Sequence, residues 1–437
     1  MGQSSVTAAE PTNWVAARIS KTSDVLDRAF DRGLTGHVIA ERAGKRVTLA
    51  DGSSAIEFVS CSYLGLEQHP ELVDAAHEAL RRFGVHFSIA RNRARPVYLA
   101  ELEQLLGEIY PGSRAVVFGT VSSTHLGTLP LLGAGALPGY PIAPGGVTFL
   151  VEKTAHASMQ VLRGMLEQLG PVRRFELGDP DGLAHELREA SVADRTPVLL
   201  VDGVGSMGGL VDVRHLHSVV APYGGILYVD DAHGTSITGR HGAGYAFEAF
   251  GGALPPGVLI TGSLSKAFGG IGGFVLVSGD ADMLVLRKFA NPLVFGQSVP
   301  VPMLAATVAA ARLHLSGEVA RRQEQLWANA ASFDALTGGT LVNAGLRCPI
   351  RGVHCDDEDS AFALAERLRD AGILILPAFY PTVAAGTGLL RFALSSLHEP
   401  DQLALAARVL GQDRSESGPV SSSPSSDSEK VSDVAAC

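Results

Sequence analysis

The hydrophobic and polar positions change their period along the chain. Residues 16–33 carry apolar positions at helical spacing and end at a glycine, which predicts a helix. Residues 37–42 and 46–60 read as strands around an Asp51-Gly52 turn. Residues 71–84 predict an amphipathic helix closed by Gly84, and residues 99–110 a second one ended by Pro111-Gly112. Between them lies a loop with Arg91, Arg93 and Arg95. From there on, short apolar runs alternate with helical stretches: 115–119, 147–152, 173–177, 197–204, 225–231, 258–263 and 272–279. Most are near-continuous, the mark of strands covered on both faces. They predict an α/β fold with a mostly parallel seven-stranded sheet. After residues 305–315 the pattern loosens. A helix over 319–336, further strands, a helix over 360–372 and a strand ILIL at 373–376 predict a smaller α+β domain.

This predicts an N-terminal arm over 13–60, a large domain over 61–300 and a small domain over 301–412. Residues 1–12 and the Ser-rich stretch 413–437 are expected to be disordered. The chain has 437 residues, 46% of them apolar, enough for a sizeable core. A net charge of −10 argues against non-specific nucleic-acid binding. Four cysteines without a CxxC pair suggest neither a disulfide framework nor a zinc site. No apolar run is long enough to span a membrane, and the first residues lack a signal-peptide pattern. A cytoplasmic enzyme is expected.

Four stretches carry chemistry. FGTVSSTHLG follows a strand and sets Thr120, Ser122 and Ser123 at a helix start, where hydroxyls and free N–H groups suit a phosphate. EKTAHASMQ places His156 after a strand, where its ring would stack on a flat cofactor; the plain alternative is a half-buried structural histidine. ILYVDDAHG ends an apolar strand in two carboxylates. In open α/β sheets ligands sit off such strand ends, and a carboxylate there keeps a pyridine nitrogen protonated. The alternative is a divalent-metal site, made less attractive because a single apolar strand carries such carboxylates. TGSLSKAFGGIGGF sets Lys266 on a turn between small hydroxylated residues and glycines, with Ser263 before it. An amine so placed suits imine exchange with a carbonyl cofactor. Together the four describe pyridoxal 5′-phosphate binding.

These motifs, with SYLGLEQHP, DGVGSMGGLVDV and PTVAAGTGLLRFALSSLHEPDQL, resemble the α-oxoamine synthases, a fold-type I pyridoxal-phosphate family, over about residues 50–410. The resemblance implies that Lys266 is the Schiff-base lysine, Asp230 the aspartate on the pyridine nitrogen, His233 the histidine near the cofactor's 3-hydroxyl and His156 the stacking ring. Ser206 and Ser263 match cofactor-contacting positions, and Arg391 the arginine that takes the amino-acid carboxylate, with Tyr63 beside the substrate. It further implies a homodimer that condenses an amino acid with an acyl thioester, on coenzyme A or a carrier protein, with loss of CO2 to give an α-amino ketone.

The sequence also departs from that family's pattern. Its Asn-Asp is Cys61-Ser62 here, its usual histidine is Leu99, the aspartate of Ser-Met-Asp-Gly is Gly208, a glycine is Val121 and an asparagine is His125. A basic loop replaces a glycine-rich segment, and Arg91, Arg93 and Arg95 are expected at the entrance for the acyl donor, against the alternative of a solvated loop. The departures suggest a specialised pathway. The rivals are another fold-type I activity such as an aminotransferase, and a non-catalytic partner subunit or cofactor-binding regulator.

Overall fold

The computed structural model describes residues 14–380 and 382–416. All seven predicted strands of the main sheet form. Their order across it is Arg114–Phe118, Gly273–Val277, Val258–Ser263, Ile226–Asp230, Thr196–Asp202, Val147–Glu152, Val172–Phe175. Gly273–Val277 runs antiparallel to both neighbours and the other pairs are parallel. The apolar runs are explained by what covers the two faces. Leu199, Val201, Leu227, Val229 and Ile260 pack into one core cluster, while Val198, Leu200, Ile226, Tyr228 and Leu259 pack into another on the opposite face. The strand period of two sends alternate residues of one run to different cores.

The helix Val301–Ser316 packs along Pro70–Phe83 and Val97–Ile109. Pro70–Phe83 starts with proline in its first turn and stops at Gly84, whose φ of 74° suits glycine. Beyond the main sheet lie two smaller ones. One has the order Ile39–Ala43, Arg46–Leu49, Ser54–Glu57, Ile373–Leu374; the other Ile350–Cys355, Gly388–Ala393, Leu376–Ala378.

Two expectations are corrected. ILIL is not one strand. Ile373–Leu374 pairs parallel with Ser54–Glu57, whereas Leu376–Ala378 pairs antiparallel with Gly388–Ala393, so the chain changes sheets at Ile375. A four-residue apolar run cannot reveal such a switch, because every residue in it is suited to either sheet. The last helix, Pro400–Glu416, also extends past the point where the disordered tail was expected to begin. The rest of that tail and residues 1–12 lie outside the described residues. No helix of the described residues is long and apolar enough to cross a membrane.

Candidate active site

The carboxyl ends of the central strands open into a cavity of about 200 Å³, lined by Val121, Ser122, His156, Ser158, Asp202, Val204, Asp230, Ala232, His233 and Lys266. Five sequence-predicted residues meet there: Ser122, His156, Asp230, His233 and Lys266. They come from four segments, Asp230 and His233 sharing one, because parallel strands bring their carboxyl ends to one edge of the sheet.

Asp230 ends the strand Ile226–Asp230 and is 4% exposed. Its Oδ1 accepts from the Ala232 N–H at 3.0 Å and its Oδ2 from His125 Nε2 at 3.0 Å. Burial would raise its pKa, but the imidazole of His125 and the Lys266 cation outweigh that and hold it below the ordinary carboxylate value. A carboxylate only accepts, so His125 Nε2 carries the proton and Nδ1 takes the Tyr228 hydroxyl at 2.9 Å. Asp202 pairs with Asp230 in register on the adjacent strand and is pushed the other way, well above the usual value, by burial and by the charge of Asp230. The two neighbouring carboxyl groups are thus split into an anion and a neutral acid.

His156 caps the short helix Ala157–Gln160. Its Nδ1 lies 2.7 Å from Ser158 Oγ and accepts from the Ser158 N–H at 3.2 Å. The His156 backbone N–H donates to Asp202 Oδ1 at 3.1 Å. Burial lowers its pKa, which favours the neutral ring. His233 is buried and pushed well below the ordinary imidazole value, first by burial and then by the Lys266 and Arg391 cations. Arg391 Nη2 donates to Tyr63 Oη at 3.1 Å, and Tyr63 Oη lies 2.7 Å from His233 Nδ1. The phenol therefore donates onward, and neutral His233 keeps its proton on Nε2. Lys266 stands on the turn after Val258–Ser263, and burial lowers its pKa against the opposing charges of Cys61 and Asp230. More of its amine is then neutral and nucleophilic.

The remaining predicted residues stand outside the cavity wall. Thr120 and Ser123 form a capping box at the start of Val121–Gly133: Thr120 Oγ1 accepts from Ser123 N–H at 3.0 Å, and Ser123 Oγ accepts from Thr120 N–H at 2.9 Å. Their hydroxyls hold the helix start in place, and Ser122 faces the cavity. Gly273 lets the neighbouring strand approach that start, since a Cβ there would lie 2.6 Å from Val121 N. Ser263 is buried, and its Oγ accepts from Ser265 N–H at 3.1 Å, shaping the lysine turn. Ser206 is half-buried on the turn bounded by the Val204–Leu210 bridge. At the next position but one, Gly208 has φ 94°, and a Cβ would fall 1.9 Å from Asn343 Nδ2, so an aspartate there would strain the backbone and have to displace that side chain.

The entrance reading of the basic loop is corrected for Arg91. It is 8% exposed, and its guanidinium donates to the carbonyls of Val117 at 2.6 Å and Gln297 at 3.4 Å. Arg95 pairs with Glu103 at 3.4 Å, and only Arg93 and Arg95 are exposed. A guanidinium that satisfies buried carbonyls is a structural donor. The reading of a single carboxylate-bearing strand is also corrected, because Thr196–Asp202 ends in Asp202 inside the cavity. The criterion that picked out Asp230, an apolar strand ending in a carboxylate, would have found it. His125 was visible only as a departure from a pattern; its contact with Asp230 spans 105 positions.

The set fits pyridoxal 5′-phosphate. A buried carboxylate suits a cationic ring nitrogen, a neutral amine suits an aldehyde, and the start of a 13-residue helix with Ser122 suits a phosphate. The sequence profile of the aminotransferase class I and II family matches residues 54–410. The 8-amino-7-oxononanoate synthase of Geobacter metallireducens is 30% identical, over 85% of this chain and 92% of its own. The serine palmitoyltransferase of Sphingobacterium spiritivorum is 28% identical, over 81% and 85%. Among solved structures, a serine palmitoyltransferase from S. paucimobilis with a bound PLP–myriocin aldimine superimposes with a TM-score of 0.76 at 24% identity, over 90% of this chain and 99% of that one.

Proposed function

Since the chain belongs to the aminotransferase class I and II family, in its α-oxoamine synthase branch, we propose that it condenses an amino acid with an acyl thioester, releasing CO2 and a free thiol and forming an α-amino ketone. It is a pyridoxal-phosphate enzyme of that type, and the relatives named as synthases and acyltransferases support this reaction class. When bound, the cofactor supplies a protonated pyridine ring that draws electrons from the substrate Cα.

The side chains divide the remaining tasks. Asp230, kept ionised by His125, would hold a cationic ring nitrogen and favour its protonated form. Lys266 supplies the amine that holds the aldehyde and takes or returns the proton at Cα. Ser122 and the helix start hold the phosphate. His156 offers its ring face, and His233 an N–H. Arg391 would take the substrate carboxylate and so orient the amino acid. The carrying observation is the meeting of Lys266 and a buried, hydrogen-bonded Asp230 in one cavity.

An amino acid labelled in its carboxyl carbon, supplied with coenzyme A and carrier-protein thioesters, tests the reading. Thioester-dependent release of labelled CO2 and free thiol is expected. Keto-acid formation without a thioester would make the enzyme an aminotransferase. The same reading places the chain in a homodimer, which is supported by exposed Phe87 and Phe295 beside a cavity of about 160 Å³ between residues 86–90 and 294–298. A stable, fully active monomer in sedimentation would refute it. Among the described residues Cys61, Cys348 and Cys355 form no disulfide, which suits a cytoplasmic location.

A further inference from the structure

Arg391 is 3% exposed, and its Nε is buried with no hydrogen-bond partner. An incompletely satisfied, buried guanidinium favours an anion in its neighbourhood. The side chain at hand is Cys61, whose Sγ lies 3.4 Å from Arg391 Nη2. Cys61 is half-buried and, through this contact, lies against the guanidinium that a substrate carboxylate would have to reach.

The groups around that thiol come from several elements. Arg391 comes from the strand Gly388–Ala393 and Lys266 from the turn after Val258–Ser263. Tyr63 shares the segment of Cys61, with His233 behind it, while Cys348 acts on both Tyr63 and Arg391. Burial would raise the Cys61 thiol, but the Arg391 and Lys266 cations outweigh it and hold the thiol below its ordinary value. Burial pushes Tyr63 well up, Cys348 up and His233 well down, so these three stay neutral near neutral pH. Lys266, lowered by burial, is the other group whose charge changes here, and it is engaged once the cofactor is loaded.

We propose that the Cys61 thiolate is an internal competitor for the substrate carboxylate at Arg391, so that affinity for the amino acid falls as the thiol ionises. This rests on Arg391 taking that carboxylate. Below the thiol's pKa the neutral Sγ–H leaves the guanidinium open. Above it, thiolate and guanidinium pair, and an incoming carboxylate must displace the sulfur. The asparagine of the family pattern at this position does not titrate, so a chain that follows that pattern lacks the effect.

The test uses the cofactor-loaded enzyme and follows carbamidomethylation of Cys61 by iodoacetamide, read by peptide mass over roughly pH 6–10. Cys348 and Cys355 are buried and serve as internal references. The expected midpoint lies below that of an ordinary thiol, stays low in Arg391→Lys and rises by roughly one to two units in Arg391→Ala. The standard amino acids serve as probes, with binding read from the cofactor absorbance. Those that bind should slow alkylation several-fold, and Cys61→Asn should flatten the pH dependence of their dissociation constants relative to the parent. An unchanged midpoint in Arg391→Ala, or a probe that shifts the absorbance yet leaves alkylation untouched, overturns the competition. If no amino acid shifts the absorbance, the amino-acid reading of the site falls, and the competition with it.

Discussion

The two sides of the site are built differently. The floor consists of strand ends: Asp202 and Asp230 lie on adjacent parallel strands, and the helix start at Thr120 and the Lys266 turn each follow a strand of the same sheet. Outside the cavity wall, behind His233, the other side of the site joins Cys61, Tyr63 and Arg391, which meet across about 330 positions of chain. The floor is rigid because each strand is hydrogen-bonded and covered on both faces. The other side depends on how the segment around Tyr63 docks against the sheet of Gly388–Ala393, where Ser395 Oγ donates to the Ser62 carbonyl at 2.6 Å and Ala393 N–H to the Phe58 carbonyl at 2.8 Å. A floor of this kind suits cofactor chemistry shared by many enzymes, and a docked wall suits a substrate preference that varies.

Substitutions can break this comparison. The largest effect is expected for Lys266→Ala, with kcat down by roughly 10³-fold or more and no cofactor fixed by borohydride. Retained borohydride labelling of the chain would move the imine to another lysine. Next is Asp230→Asn, which should keep cofactor binding measurable by absorbance while lowering kcat roughly 10²–10³-fold, since the ring nitrogen loses its counter-charge. Both act on the floor and should affect every amino acid alike. On the wall, Arg391→Ala should raise KM for the amino acid and lower kcat/KM by about 2–5 kcal/mol. A drop in kcat with KM unchanged would place the carboxylate elsewhere.

The smallest effect sharpens the comparison at the basic loop. Arg91→Ala leaves the Val117 and Gln297 carbonyls without their donor and should cost about 1–3 kcal/mol in denaturant unfolding. Arg93→Ala, at an exposed position, should leave the unfolding midpoint unchanged. If both variants instead keep full stability and lose use of the thioester, the loop is an entrance after all.

The alternating periods, the glycine stops and the residues at strand ends were readable from the chain, because each is a local property. A buried strand needs an unbroken apolar run, a helix start needs its cap, and an imine lysine needs a turn with little bulk around it. Hence the seven strands and the meeting of His156, Asp230 and Lys266 could be inferred before any coordinates, with His233 added by the family resemblance. His125 beneath Asp230, the inward turn of Arg91, the thiol of Cys61 on Arg391 and the division of ILIL between two sheets could not. Each depends on which distant segment a side chain or strand edge meets. That choice is made by the packing of whole elements, and an arginine bound for solvent and one bound for a buried carbonyl look the same in sequence.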